Sequence, residues 1–271
     1  MEELLSIEDI DVTNASAWNG IMIGTPAITA FMGAVHALER KLRHFGCKFD
    51  GLAIGVKEYE MREKYHASLD KNGNIEHERY LNVSRPLEVM QSATDKRKMN
   101  PPVMNQAYID LKLHFLIKGN FCNLENKKDY LQAVGNIFRT LRVAGGVINS
   151  FKLKWVDKED VPYGYFLREC TEEMMAYEGD NVLEKMIHAL ADEKHRYVVL
   201  ANGFRSLTKP GHVDNQRDPD KIHVFAEQIY TLGEYIHARN IKDINEYMFH
   251  YKHEGISYVC TQNSEASSET S

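Results

Sequence analysis

The sequence of 271 residues predicts an α+β fold with the ferredoxin-like order β-α-β-β-α-β. Residues 107–118 alternate between apolar and polar side chains, which is typical of a half-buried strand. Strand-like and helix-like segments then follow the same order twice between residues 4 and 156. We expect a core domain at 1–156 with an inserted arm at about 60–105. We also expect a C-terminal helical extension at 157–260 that packs on the core, followed by a disordered tail at 261–271.

The first helix is predicted at residues 24–45, where Thr25 and Pro26 favour a helix start and Gly46 a helix end. Its side chains divide into an apolar face, a face of small residues and a polar, mostly basic face. The small face comprises Ala27, Ala30, Ala34 and Ala37, and the basic face comprises Thr29, His36, Arg40 and Arg43. The basic face either contacts a ligand or is simply solvated.

The remaining elements follow from periodicity. Strands are predicted at 4–12, 49–59, 107–118, 147–156, 197–200 and 256–260, and helices at 126–141, 181–191, 218–236 and 244–251. Residues 13–24 are expected to form a loop. Within 60–105 the pair Asn72-Gly73 predicts a hairpin turn, and a basic cluster lies at 95–98. This stretch is either a projecting arm that contacts a neighbour or nucleic acid, or a mobile loop.

Composition limits the classes of function. The net charge of −6 and the isoelectric point near 6.1 exclude a generic basic nucleic-acid coat protein, so any RNA contact must be local. The net negative charge of the chain is also compatible with binding to a basic protein partner. Four dispersed cysteines without a CxxC motif indicate a reducing, cytoplasmic location and no zinc ribbon. We expect no signal peptide and no transmembrane segment, since no apolar run in the sequence is long enough to span a bilayer, and we expect no metal or other cofactor.

Several residues are candidates for contacts with single-stranded RNA. Asn14 and Ser16 can bond base edges, and Trp18 can stack on a base or plug the edge between helix and sheet. In the turn at 142–146, backbone N–H groups beside glycines can approach a phosphate. The full candidate set is Asn14, Ser16, Trp18, His36, Arg40, Arg142, Gly145, Gly146 and Arg205.

Four motifs carry a resemblance to a known family. They are NASAWNG with GTPAITAFMGAVHALERKL at 14–42, LRVAGG at 141–146, VLANGFRSL at 199–207, and HVFAEQIYTLGEYIHARNIKDINEYMFHY with ISYVC at 223–260. In this order they resemble the subunit of type I-F (Csy) CRISPR surveillance complexes that holds the 5′ handle of the crRNA. The resemblance implies a RAMP domain (a modified RRM) that is not a nuclease. It also implies pairing with the large subunit, contact with the adjacent backbone subunit along the spacer, and an indirect role in targeting DNA.

Three alternatives remain open. A RAMP-type endoribonuclease would process precursor crRNA with His36 as general acid or base, although no tyrosine or lysine partner is evident near His36 in the sequence. A metalloenzyme would use His250 and His253, placed one turn apart on a helix, but no acidic third ligand has a recognisable spacing. Finally, the sheet face with Tyr108, Asp110, Lys112, His114 and Lys118 binds either RNA or a protein.

Overall fold

The computed structural model describes residues 3–20, 22–69, 71, 75–81, 83–84, 104–105, 107–121, 124, 126–214, 216, 218 and 220–263. For 63–69, 76–81, 83–84 and 104–105 it describes the backbone alone. The predicted turn at Asn72-Gly73, the basic cluster at 95–98, Cys122 and most of the predicted tail lie outside the described residues.

Strands outnumber helices in the described part of the chain. In chain order the strands are β1 (Glu3–Ser16), β2 (Trp18–Asn19), β3 (Met22–Ile23), β4 (Lys48–Leu69), β5 (Ile75–Leu81), β6 (Val83–Ser84), β7 (Met104–Asn105), β8 (Tyr108–Asn120), β9 (Arg142–Val143), β10 (Gly146–Asp157), β11 (Tyr165–Glu169), β12 (Val198–Ser206), β13 (Ala226–His237), β14 (His250–Glu254) and β15 (Ser257–Thr261). The helices are α1 (Ile28–Lys41), α2 (Lys127–Phe138), α3 (Thr171–Met175) and α4 (Val182–Ala191), with 3-10 turns at Arg43–Phe45, Ala238–Asn240 and Ile244–Tyr247.

One antiparallel sheet organises the described part of the chain. Its strand order is β14-β15-β12-β13-β11-β4-β8-β1-β10-β9, and β5 pairs with the outer part of β4. Within it, β1, α1, β4, β8, α2 and β10 occur in the predicted chain order, and β4, β8, β1 and β10 are neighbours. The predicted α+β class is confirmed. None of the helices formed by the described residues has the length and apolarity to cross a bilayer.

The main core lies between the sheet and the helices α1 and α2. Phe115 of β8 is fully buried, with its ring centroid 6.0 Å from that of Phe31 on α1 and 6.5 Å from that of Phe138 on α2. Truncating such a buried aromatic to alanine costs about 3–5 kcal/mol of stability. Residues 244–248 cover part of the opposite face of the sheet, where Leu116 and Phe166 are buried. Both faces of β8 are therefore buried near this end of the strand.

The predicted helix at 218–236 is wrong, because residues 226–237 form strand β13. Every residue from 229 to 233 of β13 has a partner on β12, and β11 pairs along the other edge. The segment is rich in β-branched and aromatic residues, which suit a pleated surface. A side chain at Gly233 would approach Leu200 Cδ1 to 2.4 Å and Arg168 O to 2.6 Å. The packing around position 233 therefore leaves no room for a side chain.

The C-terminal part is not the helical extension that the sequence predicts. Residues 244–247 form one 3-10 turn, and the chain then continues as strand β14 instead of completing a helix to 251. The predicted helix at 181–191 is confirmed as α4, whose first turn is capped by Asn181 Oδ1 accepting from the Glu184 N–H at 3.0 Å. Five strands of this part extend the same sheet as the core.

The segment that leads into α1 also differs from its prediction. β1 continues to Ser16, so Asn14 and Ser16 lie on a strand and not in a loop. Thr25 does not cap α1, because its Oγ1 lies 2.5 Å from Tyr235 Oη on β13. Instead, Asn19 Oδ1 accepts from the Ala27 N–H at 3.1 Å. Gly46, with φ +72°, ends the 3-10 turn after α1, as expected for a left-handed C-terminal glycine.

Candidate functional site

A groove of about 760 Å³ lies between α1, the turn that joins β9 to β10, and strands β12 and β13. We refer to it as the α1 groove. Its lining residues are Ser16, Trp18, Asn19, Ala27, Thr29, Ala30, Gly33, Ala34, Ala37, Leu141, Arg142, Ala144, Gly145, Phe204 and Gln228. The fold thus brings together the small face of the first helix and four of the candidate residues: Ser16, Trp18, Arg142 and Gly145.

The floor of the α1 groove is made of the small residues of α1. Gly33 is exposed, and a Cβ built there would meet no atom of the described residues within 4 Å. Residues 30, 33, 34 and 37 recur every three or four positions, so they lie on one side of the helix. The small residues leave an open channel along the helix surface, where a ligand can approach the backbone closely.

The turn at 143–146 forms one wall. Ala144 and Gly145 have φ of +49° and +80°, as a type I′ hairpin turn requires. The Ser16 N–H donates to Ala144 O at 2.8 Å, and Arg142 Nη1 donates to Gly145 O at 3.2 Å. These bonds hold the turn against the end of β1 and place the guanidinium of Arg142 beside the groove.

The two glycines of this turn have different environments. Gly145 is exposed, and within the described part of the chain a Cβ added there would meet no atom within 4 Å. Gly146 is buried, and its Cβ would lie 2.6 Å from Val12 Cγ1 and 2.8 Å from Ala15 N. Gly145 can therefore approach a ligand, whereas Gly146 is explained by close packing on β1.

Trp18 closes one end of the groove. Its side chain is half-buried and packs against the main core, and it also lines the groove. Ser16 Oγ donates to the Trp18 carbonyl at 3.3 Å. Both interpretations of Trp18 therefore agree with its position. Asn14 is exposed with φ +58°, and its N–H donates to Asp110 Oδ1 at 2.8 Å, but Asn14 does not line the groove.

Positive charge surrounds the C-terminal half of α1. Arg40, Arg43, Arg139 and Arg142 are exposed, and none of them forms an ion pair with a carboxylate in the described part of the chain. Arg40 follows Gly33 by seven residues, so it lies on the same side of α1 about 10 Å further along the axis. This cluster of arginines is available to phosphate groups.

The polar face of the sheet is different, because its cations are already paired. Asp9 binds both Lys57 and Lys152 at 2.8 Å, and these two ammonium groups hold its pKa well below its usual range. Lys112 pairs with Glu58 at 3.5 Å, and Lys154 with Glu8 at 3.0 Å. These ion pairs leave little net positive charge for a phosphate backbone on this face.

His114, which the alternation pattern placed on the polar outer face, is only 3% exposed. Its Nδ1 accepts from the Asp9 N–H at 3.2 Å, and its Nε2 lies 3.1 Å from Tyr163 O. Desolvation lowers the pKa of His114, which keeps the ring neutral. The prediction of an open, basic face along the whole of β8 is therefore wrong at this position.

His36 and Arg205 lie outside the α1 groove. His36 is exposed on α1, with Nδ1 3.5 Å from Glu39 Oε2 and its ring centroid 6.2 Å from that of Tyr251. A tyrosine is therefore near His36, contrary to expectation. Arg205 follows Phe204 on β12, and successive strand side chains point to opposite faces. Phe204 lines the groove and Arg205 does not.

Aromatic residues that the sequence did not single out continue from the groove across the sheet. Phe204 pairs in register with Tyr258, which places both side chains on one face. The Tyr258 ring stacks on Tyr251, with centroids 5.2 Å apart and planes at 26°, and Tyr251 contacts His36. In the sequence, Phe204 is the neighbour of the candidate residue Arg205. Only the strand register shows which of the two side chains faces α1.

The two histidines of the metalloenzyme alternative lie on strand β14 and not on a helix. His250 and His253 are three residues apart, so a strand directs their side chains to opposite faces. His250 Nδ1 lies 2.6 Å from Asp50 O. Across the described residues, no group of three or more His, Cys, Asp or Glu side chains is arranged to hold a metal ion.

A comparison with protein families matches the chain to the model of a CRISPR-associated protein family (Cas_Csy2) over residues 5–194 and 174–260. The match spans nearly the whole chain, and the chain belongs to this family. It is therefore a Csy-type (type I-F) CRISPR-associated protein, as the sequence motifs predicted, and the family implies a place in a multi-subunit Csy complex.

Proposed function

We propose that this member of the Cas_Csy2 family is a non-catalytic crRNA-binding subunit that holds the 5′ handle in the α1 groove. The observation that carries the proposal is the coincidence of two features. An open groove lined by Trp18 and Phe204 lies beside arginines without carboxylate partners in the described part of the chain. Single-stranded nucleic acid is bound in this way, by aromatic side chains that stack on bases and a basic groove that follows the backbone.

Each part of the groove has a role in this proposal. Arg142 in the groove and Arg40 further along α1, outside the lining, pair with phosphates, and the small residues of α1 allow the RNA backbone to approach the helix. Trp18 and Phe204 offer stacking surfaces. Ser16 and Gln228 offer hydrogen bonds to base edges or to the 2′-hydroxyl.

The wider assignment rests on the family and on the motif resemblance. The chain order β1, α1, β4, β8, α2, β10 supports a RAMP domain, a modified RRM, and we propose that fold type for residues 1–156. The expected partners are the large subunit, the adjacent backbone subunit along the spacer and, indirectly, target DNA. The expected location is the cytoplasm.

Handle binding by two arginine variants tests the proposal. We expect Arg40→Ala/Arg142→Ala to bind a fluorescent 5′-handle RNA at least about tenfold more weakly, because two charge-assisted phosphate contacts are lost. The control is Lys112→Ala/Lys154→Ala, which removes the same charge from cations that are paired on the sheet. Equal affinity of the arginine variant and the unmodified chain in fluorescence anisotropy would overturn the groove assignment.

A second candidate, a RAMP-type endoribonuclease, is favoured by the contact between His36 and Tyr251. Burial and the neighbouring Tyr258 raise the pKa of Tyr251, so its hydroxyl is protonated at neutral pH and cannot serve as a base. Incubation of the purified chain with repeat RNA in EDTA decides between the two. Cleavage that is lost in His36→Ala would support the nuclease, and intact RNA supports the binding subunit.

A further inference from the structure

A second surface, on α3 and α4, exposes apolar side chains that the α1 groove does not use. Leu183, Ile187 and Leu190 are 65%, 52% and 44% exposed. They recur at spacings of four and three residues, so they form one ridge along α4. Val182 and Met175 are also exposed beside them. We refer to these five residues as the α4 ridge.

The ridge rests on a fixed base. The side of α4 next to the ridge buries Met186 and Ala189 in a cluster that includes Met174 of α3 and Leu232 of β13. Lys185 Nζ donates to Met175 O at 2.8 Å, which joins α4 to α3. The helix is therefore anchored to the sheet through one face, and the ridge is its outward face.

The charge around the ridge is strongly acidic. Residues 169–194 contain eight carboxylate side chains and two lysines, a net charge of −6, and the flanking Arg168 and Arg196 reduce it to −4 over 168–196. The structure gives no ion pair, within its described residues, to Glu178, Asp180, Glu184, Asp192 or Glu193. An acidic rim of this kind repels RNA, and it also repels a second copy of the same surface.

We infer that the α4 ridge docks a protein partner whose contact surface has an apolar core flanked by lysine and arginine side chains. Within the proposed function, on which this inference rests, that partner is the large subunit of the complex. The apolar residues supply the contact area, and the acidic rim selects a basic surface and excludes other occupants. The chain thus separates its two interactions, with RNA at the arginines of α1 and protein at the carboxylates of α4.

The test is co-purification of the large subunit and guide RNA with tagged chain. We expect Leu183→Ser/Ile187→Ser to lower recovery of the large subunit at least about tenfold, because buried apolar anchors dominate such interfaces. Both residues are exposed, so the variant should fold normally. Binding of handle RNA by the isolated variant should stay within about twofold of the unmodified chain. Ile222→Ser, at an exposed isoleucine elsewhere, is the matched control.

A charge variant tests the rim independently. Glu178→Lys/Glu193→Lys should lower recovery of the large subunit, and the loss should be larger at low than at high salt, because salt screens exposed charges. Full recovery with both the serine and the lysine variants would overturn the inference while leaving the proposed function intact. Failure of the unmodified chain to recover the large subunit would overturn the proposed pairing and the inference with it. A homodimer of the unmodified chain that the serine variant abolishes would identify a second copy as the occupant and overturn the inference.

Discussion

The two adjacent glycines of the β9–β10 turn should respond differently to the same substitution. Gly146→Ala places a methyl group 2.6 Å from Val12 Cγ1 and 2.8 Å from Thr13 O, so we expect a loss of stability of about 1–3 kcal/mol. The methyl group added in Gly145→Ala meets no atom of the described residues within 4 Å, so its cost is that of a left-handed backbone, about 1–2 kcal/mol. Urea unfolding measures both changes.

RNA binding separates the two glycines further. Gly145 lines the α1 groove, so Gly145→Ala should also weaken handle binding, whereas folded Gly146→Ala protein should bind normally. Reduced affinity in Gly146→Ala alone would contradict this division between a packing glycine and a groove glycine.

His114 should make the stability of the protein depend on pH. Its neutral ring accepts from the Asp9 N–H and bonds Tyr163 O. Burial lowers the pKa of His114, helped by the charge of Lys57, although the charges of Asp9 and Glu8 and the bond to Tyr163 O act in the opposite direction. The unfolded chain therefore takes up this proton at a higher pH than the folded chain. The stabilising effect is complete above about pH 6.5 and is lost as the pH falls through the folded-state pKa.

The expected loss from His114 is at most about 1.4 kcal/mol per pH unit. Urea unfolding at pH 7.5 and 5.5 measures it, and His114→Gln, which does not titrate, should show a smaller difference between the two values. An identical pH dependence in the unmodified chain and in His114→Gln would show that another group is responsible.

At the scale of a single element, α1 provides a test that does not depend on charge. Gly33→Leu projects a side chain into the open groove, and we expect it to weaken handle RNA binding at least about tenfold. Replacing an exposed helical glycine should raise stability by up to about 1 kcal/mol, so unfolding cannot explain the loss. Gly211→Leu is the control, because its Cβ also meets no atom of the residues that the structure describes within 4 Å and it lies outside the groove. Unchanged RNA affinity in Gly33→Leu would argue against RNA in the groove.

Helix α1 also shows how far sequence alone leads. Its three faces were predictable from periodicity, and the small face does line the groove. Its start was not predictable, because the N-cap residue Ala27 has no side-chain oxygen to cap the helix, and the hydroxyl of Thr25 is engaged by Tyr235, a residue 210 positions away. Local propensity favours the nearest cap and contains no information on such distant partners.

Strand β13 shows a different limit. Its apolar residues fit a helical period, but pairing with β11 and β12 determines its conformation. The groove depends on this outcome, since Gln228 of β13 and Phe204 of β12 form its second wall. The sequence was enough to propose four lining residues as candidates, because their residue types suit RNA: Trp18, Ser16, Arg142 and Gly145. The second wall could not be found in this way, because it exists only once the distant strands have joined the sheet.

At the scale of the whole molecule, charge is divided between two surfaces. Residues 169–194 account for the net charge of −6, so the rest of the chain is close to neutral and the arginines around α1 act locally. A single overall charge therefore says little about RNA binding. Under the proposed function, we expect the acidic region around α4 to weaken the long-range attraction of RNA and the arginine–phosphate contacts at the groove to act at short range.

This division predicts the salt dependence of RNA binding. Each phosphate contact on single-stranded nucleic acid contributes about 0.7 to the slope of log K against log salt concentration, because it releases condensed counterions. Replacing both Arg40 and Arg142 by alanine should therefore lower the magnitude of the slope by about 1.4. Fluorescence anisotropy over a series of salt concentrations measures it. Lys112→Ala/Lys154→Ala should leave the slope unchanged, because those ammonium groups are already neutralised by Glu58 and Glu8. A slope that falls equally in both double variants would mean that RNA follows the sheet face and not the groove.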